Sequence, residues 1–253
     1  MGDGKPPSDD GREDRGSTLR TVLACNLGVC LEGFDFIAFS FFAVIIGKQF
    51  FPSSDDLARL LFGFASFGFA YVARPLGGIF WGLYADRAGR RPALALVSIT
   101  MAVGVAMIAF TPNYATIGIA APILMTLARL IQGFSAGGEF ASATTMLVEY
   151  APAGRRGLYA SSQMASQALT IAIASALVLV LDRTLAPATL DSIGWRAVFA
   201  FGILIGPVGF YMRSRLAETP EFRRIAEARS AREKVRLADM LRRYRFEALG
   251  IAG

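Results

Sequence analysis

The chain has 253 residues, 54% of them hydrophobic and only 18% charged, with a net charge of +6 and no histidine. Apolar residues gathered into long runs exclude an ordinary water-soluble domain and point to the membrane class. The positive charge sits in the loops and tails between those runs. That excludes a nucleic-acid partner and reads as membrane topology.

Residues 1–18 are polar and Gly-rich and are expected to form a disordered cytoplasmic tail. No small-residue cleavage site follows, so the first apolar helix is expected to remain as an uncleaved anchor. Six spanning helices are predicted at about 19–47, 58–84, 92–111, 115–148, 158–181 and 195–215. Each approaches or exceeds the ~20 residues that a bilayer crossing requires. The expected fold class is an all-α membrane protein with six transmembrane helices (residues 19–215). Cys25 and Cys30 fall on different faces of the first helix and read as packing residues, not as a disulfide or metal site. No metal or cofactor is expected.

Lys5, Arg12, Arg15 and Arg20 precede the first helix. Arg87, Arg90 and Arg91 lie in the second-to-third turn, and Arg155 and Arg156 in the fourth-to-fifth. The other side offers little beyond Lys48, Arg59, Arg183 and Arg196. The positive-inside rule therefore places both termini in the cytoplasm of a multi-pass protein of the cell (inner) membrane. Trp195 and Tyr114 are expected at the outer interface, where amphipathic rings favour the headgroups. Gly78/Gly82, Gly133/Gly137 and Gly202/Gly206 are small pairs that permit close helix crossings. After the sixth helix, Thr219 followed by Pro220 signals a new helix start. Residues 216–245 read as a basic amphipathic helix on the inner leaflet or under the bundle. Residues 246–253 read as the onset of a seventh, truncated helix.

A charge at bilayer depth costs roughly 2.5–3.5 kcal/mol and is a functional candidate by default. Glu32 and Asp35 lie one turn apart in the first helix, Arg74 lies in the second, and Arg129 and Glu139 lie in the fourth. The bland alternative is that these groups pair with one another and only fix packing. The sharper one is proton coupling. Low dielectric disfavours a carboxylate's charge and a nearby arginine restores it, so a carboxylate whose arginine contact changes takes up and releases a proton. Asp35, near the middle of its helix, is the first choice for that carrier, ahead of Glu139 and Glu32. Arg129 is the modulating cation. Fixed arginines can also bind a carboxylate substrate bidentately. Gly133-Phe134-Ser135-Ala136-Gly137 fits a hydrolase nucleophile pattern, but it lies inside an apolar helix in a chain without histidine, so no enzyme is expected.

The spacing Gly-x-x-x-Asp-Arg-x-Gly-Arg-Arg over Gly82, Asp86, Arg87, Gly89, Arg90 and Arg91 resembles the signature loop of the major facilitator superfamily. Arg129 with Gln132 and Gly133 resembles its fourth-helix motif. With Leu31–Phe36, Ala73–Gly78, Gln132–Glu139, Gly194–Arg196 and Glu218–Phe222, the chain is similar to the metabolite:H+ symporter family, nearest to citrate and tricarballylate symporters. The resemblance implies the N-terminal half of such a transporter, built as a 3+3 helix repeat. It implies a proton-coupled symporter of a small organic acid working by alternating access. Arg74, Arg129 and Gln132 would bind substrate, and the signature loop would gate, with Arg90 paired to Glu149. The implied partners are the lipid bilayer, protons, a di- or tricarboxylate, and a missing C-terminal half or second copy. The competing readings are an inactive membrane fragment or interaction module, and a half-transporter that works only as a homodimer.

Overall fold

The computed structural model describes residues 10–214, apart from 54 and 153, together with residue 216. Among them are six long helices: α1 (Asp10–Phe50), α2 (Asp56–Ala88), α3 (Arg90–Phe110), α4 (Ala120–Tyr150), α5 (Arg156–Thr184) and α6 (Trp195–Ser214). All described residues belong to one unit of the chain; the second, Pro220–Gly253, lies outside them, as do the expected helix over 216–245, apart from residue 216, and that over 246–253. Among the described residues, four stretches are long and apolar enough to cross a membrane: Thr18–Phe50, Leu60–Ala88, Arg90–Phe110 and Arg156–Thr184.

Three expectations are corrected. Of the tail expected over 1–18, residues 10–18 are the first turns of α1. The sequence there holds no proline to interrupt the helix. The helix expected over 115–148 is broken near its start. Asn113 caps a four-residue turn, Tyr114–Ile117, which ends at Gly118 with φ of 58°, and α4 begins only at Ala120. Trp195 is not an interfacial ring. It is wholly buried, donates from Nε1 to the Asp191 carbonyl at 3.2 Å, and packs edge-on to Phe50 and Phe199. A short helix at Pro187–Thr189 and a π-helical turn at Leu190–Gly194 lead into α6 and carry that indole inward.

Side-chain pairings give the helix directions. α1 runs parallel to α5, with Asn26 beside Ser162 and Cys30 beside Ser166, and antiparallel to α2, with Glu32 beside Arg74 and Ala43 against Gly63. α2 and α4 run parallel and share the most extensive interface. Their backbones nearly touch: a Cβ on Gly133 would lie 1.8 Å from the Ala70 carbonyl oxygen, and one on Gly137 2.0 Å from that of Arg74. Close approach is thus the reason for the Gly133/Gly137 pair. On α2, Gly78 lies against Gly137, whose added Cβ would sit 2.8 Å from the Gly78 nitrogen, and Gly77 lies against the Phe134 carbonyl, which its added Cβ would meet at 1.8 Å, while Gly82 faces open space.

α3 and α6 run antiparallel and are tied at both ends by arginine. Arg196 at the start of α6 donates to the Ala109 and Thr111 carbonyls at the end of α3, 2.8 Å each. Arg91 at the start of α3 donates to the Ser214 carbonyl at the end of α6. Helix-terminal carbonyls without intrahelical partners are thereby satisfied. Phe39, Phe42, Ile46 and Phe50 of α1 and Phe199 of α6 fill the core, whereas Val72, Leu76, Phe110 and Leu169 point outward. An apolar exterior over a bundle whose charges lie inside is the arrangement that lipid requires.

Candidate functional site

The charges expected at membrane depth lie between helices and, with Arg213, come together as three ion pairs. Asp35 lies close to the middle of its apolar stretch, Thr18–Phe50. Arg129 on α4 approaches its Oδ2 from Nη1 at 3.3 Å, and Gln132 Nε2 donates to the same oxygen at 2.7 Å. Arg129 Nη1 also donates to Gln132 Oε1 at 2.6 Å, closing a three-residue cluster. Arginine and glutamine three residues apart share one face of α4, so the helix itself presents both to α1.

Glu32 pairs with Arg74 of α2 at 2.5 Å. The two basic groups are then linked by aromatic faces. Arg129 Cζ lies 4.0 Å from the Phe39 centroid and 4.7 Å from that of Phe36. Arg74 Cζ lies 4.4 Å from the Phe36 centroid and 4.8 Å from that of Tyr71. Phe36 is therefore shared by two guanidinium groups, a favourable use of its quadrupole in a desolvated site. Exposure separates the two arginines. Arg129 is entirely buried, while the Arg74 side chain is 31% exposed.

Glu139 is not part of that cluster. It pairs with Arg213 of α6 at 2.5 Å, and Arg213 also donates to Ser98 Oγ and, at 3.3 Å, to the Leu94 carbonyl of α3. Gly28 of α1 makes room for this pair, since a Cβ there would lie 1.2 Å from Arg213 Nη2 and 2.1 Å from Glu139 Oε1. Arg213, Ser98, Gly28 and Phe36 are absent from the sequence-derived candidates. Arg213 reads as an ordinary cation at a helix end, and only the packing of α6 on α3 draws it inside. Its one visible signal is an arginine still within the sixth apolar run.

In the signature loop, α2 passes into α3 through a single residue. Gly89 has φ of 109°, which favours glycine, and its N–H donates to the Ala85 carbonyl at 2.9 Å. Asp86 accepts from Arg90 at 2.7 Å across that turn. This is a correction to the expected Arg90–Glu149 pair: the turn is so tight that Asp86 is the nearer acid, and Glu149 Oε2 has no hydrogen-bond partner among the described residues. Arg87 is exposed and Arg91 caps α6 as above. Ser135 lies within α4 and donates to the Val97 carbonyl at 2.6 Å, with no nucleophile turn around it. Among the described residues no His, Cys, Asp and Glu group converges as a metal ligand set.

A profile of the family described as Sugar (and other) transporter matches residues 21–242. The citrate-proton symporter of Klebsiella pneumoniae is 42% identical over 207 residues, covering 82% of this chain and 47% of that protein. The proline/betaine transporter of Salmonella typhimurium is 35% identical over 209 residues, covering 83% and 42%. Among solved structures, the proton:xylose symporter XylE bound to 6-bromo-6-deoxy-D-glucose superposes with a TM-score of 0.75 at 18% identity, covering 83% of this chain and 46% of that one. The chain thus spans about half the length of the curated relatives it matches.

Proposed function

Because this chain belongs to the Sugar (and other) transporter family of the major facilitator superfamily, an integral membrane family, we propose that it forms one half of a proton-coupled symporter. That half has six spans in a 3+3 arrangement, lies in the cell's inner membrane with both termini cytoplasmic, and works by alternating access against a second half. The substrate is a small organic acid, a di- or tricarboxylate such as citrate. The observation that carries the reading is Asp35 near the middle of its apolar stretch, held by the buried Arg129 and by Gln132. A carboxylate balanced against one arginine changes its proton occupancy when that partner moves. Asp35 is the proton carrier, Glu32 and Glu139 are the secondary acids, and Arg129 sets the balance.

Arg74, Arg129 and Gln132 form the substrate side, with Arg74 as first contact because it alone of the two arginines is partly exposed. Two arginines within one aromatic cluster suit a ligand with more than one carboxylate. The greater identity to the citrate-proton symporter than to the proline/betaine transporter points the same way. The test is uptake into liposomes. The chain is reconstituted with the part of the Klebsiella relative that lies beyond the matched region, under an inward proton gradient, and by itself as the control. Labelled citrate should accumulate with both parts and the gradient, and not with the chain alone. Accumulation of betaine in preference to citrate would overturn the carboxylate reading, and accumulation indifferent to the gradient would overturn coupling.

A further inference from the structure

Asp35 and the Glu139–Arg213 pair border the same cavity. It measures about 30 Å³, lies between α1, α3, α4 and α6, and has Asp35, Ser98, Glu139 and Arg213 in its wall beside apolar Met101 and Val105. A buried water needs ~10–15 Å³ of such space and two to four polar partners. The space therefore suits about two waters, and four polar side chains line it. One of them is unpartnered where it counts: Asp35 is 4% exposed, and its Oδ1 makes no hydrogen bond, since Arg129 and Gln132 both engage Oδ2. The far wall is fixed. Arg213 is fastened by Ser98, the Leu94 carbonyl and Glu139, and Gly28 leaves the room that this fastening needs.

The two ends are separated by a countable length of helix. On α4, Gln132 meets Asp35 and Glu139 lies seven residues further on; on α1, Gly28 faces Glu139 and lies seven residues before Asp35. Seven residues of helix rise ~10 Å, too far for direct proton transfer between the carboxylates; two waters in line, with their three hydrogen bonds, cover ~8 Å of it. We infer that this cavity is a water site through which the Asp35 proton moves along the bundle to Glu139, with Arg213 as the positioning residue that anchors the far end. In the step, the proton on Asp35 Oδ1 passes to the adjacent water oxygen, that water releases one of its own protons to the second, and the second gives one to the Glu139 carboxylate. Asp35 is left as the carboxylate held by Arg129 and Gln132, and Glu139 as a neutral acid beside Arg213. The charged and titratable groups around the path are Glu32 and Cys25 on α1, Arg74 and Tyr71 on α2, Arg129 on α4 and Arg213 on α6. This inference rests on Asp35 as proton carrier but not on the identity of the substrate.

The test uses infrared difference spectroscopy of the purified chain in lipid nanodiscs during a rapid pH change. The wild-type chain should show a water O–H stretch that shifts in 18O-labelled water and rises with the Asp35 carboxyl band, itself identified by its loss in Asp35→Asn. Gly202→Ala adds a methyl group to the cavity wall 3.3 Å from Val105 Cγ1, a tight contact that needs a small shift of that side chain, and alters no charge. It should remove the water band and slow the Asp35 response by about tenfold or more, leaving its final extent unchanged. Glu139→Asp keeps the charge but withdraws the carboxylate, and should move the frequency of the water band where a merely structural role would not. Absence of a labelled-water band in the wild-type chain, or a full-rate response in Gly202→Ala, would overturn the inference. The symport reading falls separately, if the water band is present and no gradient-driven uptake occurs.

Discussion

The Asp35–Arg129 and Glu139–Arg213 pairs bury the same chemistry in one bundle and are held in different ways. Asp35 offers one oxygen to two donors and leaves the other bare, while Arg129 leaves Nε and Nη2 without acceptors and rests instead on the Phe36 and Phe39 faces. Arg213 engages Glu139, Ser98 and a backbone carbonyl and leaves only Nε. A buried polar group without a partner costs about 1–3 kcal/mol, so the Asp35 cluster has free energy to gain from a new partner and the Glu139 cluster has little. The first arrangement favours exchange of partners. The second favours holding α3, α4 and α6 together. A buried ion pair is therefore no single kind of object even within one protein.

The sharpest way to break this comparison is to remove one member of the tighter pair. Arg213→Met strands Glu139 in the core and should destabilise the purified chain by about 3–5 kcal/mol, while Arg213→Met with Glu139→Met should recover most of the loss. Melting followed by circular dichroism reads both; a single variant as stable as the double would mean the pair does not hold the bundle. Gly28→Ala comes next. Its methyl group occupies the place of Arg213 Nη2, and overpacking of this kind costs about 1–3 kcal/mol. The same melt should show that Arg213→Met adds little on top of it, because both changes act on one pair.

Asp35→Asn should be milder, about 1–2 kcal/mol, because the amide oxygen still accepts from Gln132 and the rings still shelter Arg129. Its consequence lies in function: in the reconstituted two-part system, gradient-driven accumulation should vanish while substrate exchange persists. A stability loss equal to that of Arg213→Met would erase the distinction drawn between the pairs. Asp86→Asn should have the smallest effect on stability. Asp86 is 53% exposed, and a surface ion pair contributes about 0.2–1 kcal/mol. Uptake by Asp86→Asn should nevertheless fall if the loop gates; normal uptake by the folded variant would reduce the loop to a topology anchor.

Much of the architecture was legible in the chain itself. Long apolar runs must become helices in lipid, because no other partner exists there for the backbone, so an all-helical bundle was legible, although the first helix starts at Asp10 and the fourth only at Ala120. The single-residue turn at Gly89 was legible for a similar reason: a glycine between arginines, bounded by two apolar runs, leaves the chain one way to reverse. Glu32, Asp35, Arg74, Arg129 and Glu139 stood out because charge at that depth is expensive. Local sequence does not encode which charge meets which. Asp35 goes with Arg129, and Glu139 goes with Arg213, because α1 and α4 pass antiparallel with Gly28 opposite Glu139, and because α6 lies along α3 with arginine ties at both ends. Trp195 and Arg213 were misjudged or overlooked for the same reason: a residue at a helix end faces lipid, water or core according to the rotation of that helix against its neighbours. Composition and period determined where the helices are. Pairing, burial and the cavity beside Asp35 were decided by close packing, which acts between residues far apart in the chain.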